Sequence, residues 1–133
     1  ADAVAAIGDE QRVERICRAL VENALRHTPP GTRVEVSVSS SPTRARLLVS
    51  DDGPGVSPTE AERVFERFYR AAGRTAHGSG LGLAIARETA GLMGGSLELV
   101  PAPDRTVFVL ELERSSEEAF PRENDRVPVL GAR

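Results

Sequence analysis

Apolar residues recur with helical spacing across residues 10–28. Val13, Ile16, Cys17, Leu20, Ala24 and His27 form one stripe, and Arg15, Arg18, Glu22 and Arg26 line the other side. Asp9 stands where an N-cap is expected, Glu14–Arg18 and Glu22–Arg26 are spaced as i,i+4 pairs, and Pro29-Pro30-Gly31 stops the helix. The period then changes to two. Val34, Val36 and Val38 alternate with Glu35 and Ser37, and Ala45, Leu47 and Val49 with Arg46 and Leu48, predicting a hairpin closed over Ser39–Thr43.

Between Asp51 and Gly80 neither period holds, and so long an irregular stretch in a compact domain is usually functional or disordered. Within it, Ser57-Pro58-Thr59-Glu60 reads as a capping box with proline in the first turn, predicting a short helix over 58–69. A second amphipathic helix is expected from about Ser79 to Met93, with Leu81, Ala84, Ile85, Thr89 and Leu92 inward and Gly94-Gly95 at its end. Strands 96–100 and 106–113, separated by the Pro101–Arg105 turn, complete the pattern. From Arg114 onward the chain is polar, with four acidic and four basic residues, and reads as a linker or loose extension. The order helix, hairpin, long loop, helix, hairpin predicts an α+β sandwich with helices on one face of a mainly antiparallel sheet.

Composition narrows the function classes. The 133 residues suit one domain, and 40% hydrophobic with 28% charged residues is ordinary for a soluble fold with one core. A net charge of −3 gives no field to recruit nucleic acid or an anionic membrane. Cys17 is alone, which excludes an internal disulfide and a cysteine-based zinc site. No apolar run approaches the roughly 20 residues needed to cross a bilayer, and no signal peptide is visible. The missing initiator Met suggests a piece of a longer protein.

Four places carry possible chemistry. Asn23 lies at the edge of the first helix's apolar stripe, either as a core amide bonded to backbone or as an oxygen ligand for Mg²⁺. Asp51-Asp52-Gly53-Pro54-Gly55 directly follows a strand. It is either a solvated turn or a carboxylate placed for an exocyclic amine, with Gly53 and Gly55 letting a flat ring near the backbone. Gly78-Ser79-Gly80-Leu81-Gly82-Leu83 leads into a helix whose first amides are unpaired, an arrangement suited to phosphates. It is neither a Rossmann fingerprint, lacking a preceding βαβ unit, nor a P-loop, because all seventeen basic residues are Arg. Finally, Arg63, Arg67, Arg70 and Arg74 against Glu66 alone give 63–77 a local charge of +3, either a solvated face or a phosphate-binding surface. Three of the five aromatics, Phe65, Phe68 and Tyr69, fall in the same stretch and read as the apolar side of its short helix.

The order of these motifs resembles the ATP-binding domain of sensor histidine kinases over residues 5–113. Asn23 in Glu-Asn-Ala-Leu-Arg-His-Thr-Pro resembles the N box, Asp51–Gly55 the G1 box, Phe65-Glu66-Arg67-Phe68-Tyr69-Arg70 the F box, Gly78–Leu83 the G2 box, and Met93–Leu97 the closing glycine pair. The F box favours a sensor kinase over the other ATPases of the fold. The resemblance implies a Bergerat-type two-layer α/β sandwich on a mainly antiparallel, mixed sheet. Residues 1–113 would form the domain, with a lid over about 56–80 and a tail over 114–133.

As cofactors the resemblance implies ATP and Mg²⁺. Asn23 would hold the metal, Asp51 would read the adenine amine with Thr106 assisting through water, and Gly53 and Gly55 would flank it. His27 would pack beside the purine, Arg26 and Arg70 would meet the phosphates, and Tyr69 belongs to the same lid. Gly78, Ser79, Gly80, Leu81, Gly82 and Leu83 would wrap the triphosphate. In the intact protein the γ-phosphoryl would go to a His on a separate dimerisation domain and on to a response regulator aspartate. Neither His27 nor His77 is expected to accept it, and no autophosphorylation is expected of the fragment alone. Ala19 stands where the ATPase relatives place a general-base Glu and many histidine kinases a second Asn. That argues against efficient hydrolysis and keeps open a nucleotide-binding module or degenerate kinase without phosphotransfer. The fragment is expected to be monomeric and cytoplasmic, its parent a homodimer anchored in the bacterial inner membrane.

Overall fold

The computed structural model describes residues 4–67 and 82–115. Helix α1 (Glu10–His27) begins at Asp9, whose carboxylate accepts hydrogen bonds from the Gln11 and Arg12 amides at 2.9 and 3.3 Å. Ile16, Leu20 and Ala24 of the predicted stripe are buried, with Val13 and Cys17 partly so. Glu14 pairs with Arg18 at 3.1 Å, but among the described residues Glu22 and Arg26 do not pair. The cap Thr28 is extended (φ −118°, ψ 145°), as the residue before a proline favours, so the chain leaves the helix there.

Strands β1 (Val34–Ser40), β2 (Arg44–Asp51), β3 (Ser96–Val100) and β4 (Thr106–Glu113) form one sheet in the order β1-β2-β4-β3. Every pairing among the described residues is antiparallel, so the mixed component expected of the sheet is not seen in them. Alternation works as predicted on β2 and β4: Ala45, Val49, Phe108, Leu110 and Leu112 face the helices and are buried. Val38, expected inward, lies near the hairpin end of edge strand β1 and is exposed.

Two helices depart from expectation. Helix α2 (Pro58–Arg63) starts as predicted at Ser57, which accepts from the Glu60 amide at 3.2 Å, but stops at Val64 instead of running to 69. Helix α3 (Gly82–Leu92) buries Ala84, Ala86 and Ala90. Ile85 and Leu92, predicted inward, are 51% and 73% exposed. Residues 83–86 and 92–93 are all apolar, so periodicity could not fix the helix phase, and the buried face of α3 is the one that carries alanines. The end of α3 is as predicted. The Gly95 amide donates to Ala90 and the Gly94 amide to Gly91, with Gly94 at φ +73°, the left-handed stop of a Schellman turn.

Residues 5–7, for which no strand is expected, join the edge of the body beside the end of β4. The Ile7 amide donates to Glu113 at 2.8 Å, the Ser115 amide to Ala5 at 3.0 Å, and Ala6 bridges Arg114. Arg114 and Ser115, read as the start of the tail, are thus hydrogen-bonded to the body. The rest of the tail lies outside the described residues.

Candidate functional site

The strand alternation that buries Ala45 and Val49 continues to Asp51 at the end of β2, placing a carboxylate on the core-facing side of the sheet. Asp51 is 7% exposed and is the buried charged residue among those described. Burying a carboxylate is unfavourable without hydrogen-bond donors. The Gly53 amide supplies one to Asp51 Oδ1 at 3.0 Å and turns the chain sharply after the strand. Across the sheet Asp51 stands in register with Val34 on β1 and Thr106 on β4.

The loop after Asp51 is tied down on both sides. Asp52 Oδ1 accepts from the Arg33 amide at 2.7 Å, and the Asp52 amide donates to the Arg33 carbonyl at 3.2 Å. Further on, the Val56 amide donates to the Ala102 carbonyl at 3.1 Å. Gly55 adopts φ +76°, and a side-chain carbon there would collide with the Ala102 carbonyl and the Pro103 backbone. Gly55 thus has a packing role of its own. Its missing side chain makes room for the β3–β4 turn, whereas the missing side chain of Gly53 lets the loop backbone close on Asp51 and Thr28. A carbon added at Gly53 would lie 2.8 Å from Asp51 Oδ1 and 3.1 Å from Thr28 Cγ2.

The last turns of α1 reach this loop through Thr28. Asn23 is half-buried there and Arg26 exposed, so both are accessible to a ligand, and Ala19 is half-buried one turn earlier. No group of three or more His, Cys, Asp or Glu able to hold a metal occurs among the described residues. An amide oxygen such as that of Asn23 can ligate a hard cation that keeps water and phosphate oxygens as its other ligands, which is how Mg²⁺ binds. Gly82 opens α3 on the exposed surface and a side chain there would meet nothing within 4 Å, while Leu83 packs against the core. The first-turn amides of a helix suit an anion.

The aromatic cluster is partly accounted for. Phe65 is buried and meets Phe108 edge-to-face at 6.1 Å and 86°. Arg87 of α3 covers its other side at 4.6 Å and is held by Glu98 at 3.0 Å. Arg67, part of the local positive charge, pairs with Glu88 of α3 at 2.7 Å and so acts as a surface tie between segments. Phe68, Tyr69, Arg70, Arg74, Gly78, Ser79, Gly80 and Leu81 lie outside the described residues, as does the His27 side chain. Sequence reasoning missed Thr28, although a threonine between a helix end and a proline is a recognisable cap. It also missed the Phe65–Phe108–Arg87 stack, which joins residues distant in sequence. Away from the site, burial and, secondarily, the nearby Glu14 push the half-buried Cys17 thiol up.

Comparison with known proteins agrees with this geometry. A family model described as "Histidine kinase-, DNA gyrase B-, and HSP90-like ATPase" matches residues 8–116. The swarming motility regulation sensor protein RssA of Serratia marcescens is 41% identical over 110 residues, covering 80% of this chain and 24% of RssA. The chain thus spans about a quarter of that relative's length. Among solved structures, the mycobacterial sensor histidine kinase MprB superposes with a TM-score of 0.75 at 39% identity, over 82% of this chain and 76% of that one. Full-length ShkA in complex with AMPPNP gives a TM-score of 0.75 at 29% identity, over 88% of this chain and 24% of ShkA.

Proposed function

Because the chain belongs to the histidine kinase-, DNA gyrase B- and HSP90-like ATPase family, as a histidine-kinase-type ATPase domain, we propose that it binds ATP with Mg²⁺ at the Asp51 end of the sheet. The observation that carries this reading is the buried Asp51 carboxylate, oriented by the Gly53 amide and opposed in register by Thr106. A fixed acceptor at the end of an apolar face suits the adenine 6-amine, and a hydroxyl directly opposite on the neighbouring strand can hold a bridging water.

The remaining assignments follow the order of the boxes. Asn23 supplies one oxygen to Mg²⁺, which neutralises phosphate charge when bound. Arg26 and Arg70 meet the phosphates, His27 and Tyr69 border the purine side, and the backbone of Gly78, Ser79, Gly80, Leu81, Gly82 and Leu83 wraps the triphosphate. The protein's contribution to phosphoryl transfer is positioning and charge stabilisation, and no residue of this chain is assigned as general base. In a longer sensor kinase the acceptor is a histidine on a neighbouring dimerisation domain, with a response regulator aspartate next in sequence. That parent is a homodimer at the bacterial inner membrane with this domain on the cytoplasmic side. No helix among the described residues is long and apolar enough to cross a membrane.

Incubating the chain with labelled ATP and a separately supplied dimerisation domain tests the transfer. Label on that domain supports a kinase. Binding without transfer supports the second reading, a nucleotide-binding regulatory module or degenerate kinase, which Ala19 favours by offering no side chain to activate water or assist a metal.

A further inference from the structure

We propose that the tail segment Val127-Pro128-Val129-Leu130 folds back over the outer face of the sheet and covers an aliphatic patch there. The buried residues of all three helices join one core cluster with Val49, Phe108 and Leu110, so the helices share one face of the sheet. Strand alternation puts Leu48, Val100, Val107 and Val109 on the other face. Leu48 stands directly opposite Val109, and Val107 directly opposite Val100, so the four side chains form one continuous patch. None of them belongs to the core cluster; Val100 is 45% exposed and the other three are half-buried. Among the described residues no helix covers this patch.

Three features favour the tail as occupant. The first is where it starts. The Ser115 amide donates to the Ala5 carbonyl at 3.0 Å, which fixes the root of the tail just beyond the end of β4. The way back from there to Val107 is about 26 Å of strand. The stretch from Ser115 to Val127 reaches about 40 Å when extended, enough for the return and a turn. Tethering gives the segment an effective concentration on the order of millimolar, which a second copy in dilute solution lacks. The second feature is the pattern of the segment. Val127 and Val129 are spaced to face one side, and Leu130 follows. Pro128 has no amide to donate, so the segment suits packing across a face better than pairing along a sheet edge. The third is charge. Between the tail's root and the patch, Arg44 and Arg46 both reach Glu111, at 3.6 and 2.8 Å. Glu117 and Glu118 are the first charged residues after Ser115 and can join those arginines on the way.

Methyl NMR on the 133-residue chain tests the proposal. Wild type should show nuclear Overhauser contacts from Val129 and Leu130 to the methyls of Leu48, Val100, Val107 and Val109. A triple variant, Val127→Ser with Val129→Ser and Leu130→Ser, changes no residue of the described body. It should move the methyl resonances of those four residues and lower the melting temperature by about 3 °C. Mixing labelled with unlabelled chain separates contacts within one chain from contacts between two. Patch resonances unchanged in the triple variant overturn the proposal. Contacts found only between chains also overturn it, by giving the face to a second copy. The nucleotide reading stands or falls separately, because none of the exchanged residues belongs to that site.

Discussion

Asp51 closes β2 directly opposite Thr106, the first residue of β4, and both side chains lie on the sheet face that carries the core. Directly opposed residues on antiparallel strands bring their side chains within about 5.5 Å at Cβ. A carboxylate and a hydroxyl thus stand side by side at one end of an otherwise apolar surface. In a fold whose other core-facing positions on these strands are Ala45, Leu47, Val49, Phe108, Leu110 and Leu112, that pair is where the proposed nucleotide site meets the sheet.

Thr106→Val is expected to separate these two duties. Valine suits a strand at least as well as threonine, so the melting temperature should stay within about 2 °C. If the hydroxyl supports the adenine contact through water, ATP affinity should fall about fivefold, the worth of one net hydrogen bond. Thermal melts with and without ATP-Mg²⁺ check both parts.

Gly55→Ala should damage the fold. The added carbon would meet the Ala102 carbonyl while the residue holds φ +76°, which costs about 1–3 kcal/mol before the collision is counted. Denaturant unfolding should show a loss of at least about 2 kcal/mol. Gly82→Ala, where a side chain meets open space, should show no comparable loss.

Phe65→Ala is expected to lose about 3–5 kcal/mol in the same measurement, because it empties the contact with Phe108 and strands Arg87. Glu88→Gln breaks only the exposed pair with Arg67 and should change stability by at most about 1 kcal/mol. The comparison asks which contact holds the stretch after α2 to the body.

Cys17 gives a prediction in pH. Burial raises its thiol above the ordinary value, so the folded state holds this proton more tightly than the unfolded state does. The resulting stability is complete below the unfolded thiol's pKa and is lost as pH rises through the folded value. Wild type should therefore lose more stability between pH 8 and pH 10 than Cys17→Ala, and the thiol should alkylate slowly at pH 8 in the native protein.

Much of this was legible in the chain, for physical reasons that differ by element. The α1 stripe, the Asp9 cap and the Gly94-Gly95 stop depend on local spacing, and they form as read. Asp51 was legible because a charged residue continued an apolar alternation. The phase of α3 was not, since its residues are apolar on too many sides for periodicity to choose a face. The pairing of residues 5–7 with 113–115 and the closeness of Thr28 to Gly53 depend on long-range approach of backbone, which no local pattern encodes. The candidate site was visible as ordered motifs, and the packing around Asp51 only as geometry.

Titration of ATP-Mg²⁺ into wild type and Asp51→Asn tests the central claim most directly. The substitution keeps an oxygen able to accept from the Gly53 amide, so the fold should persist, with an unchanged melting temperature in the absence of ligand. Wild type should bind and melt higher with millimolar ATP-Mg²⁺, because a ligand held only by the folded state stabilises it. Asp51→Asn should lose most of that gain, since an amide cannot replace the carboxylate as a charged acceptor. A wild-type transition unmoved by millimolar ATP-Mg²⁺, or an Asp51→Asn variant stabilised as strongly as wild type, would contradict the account.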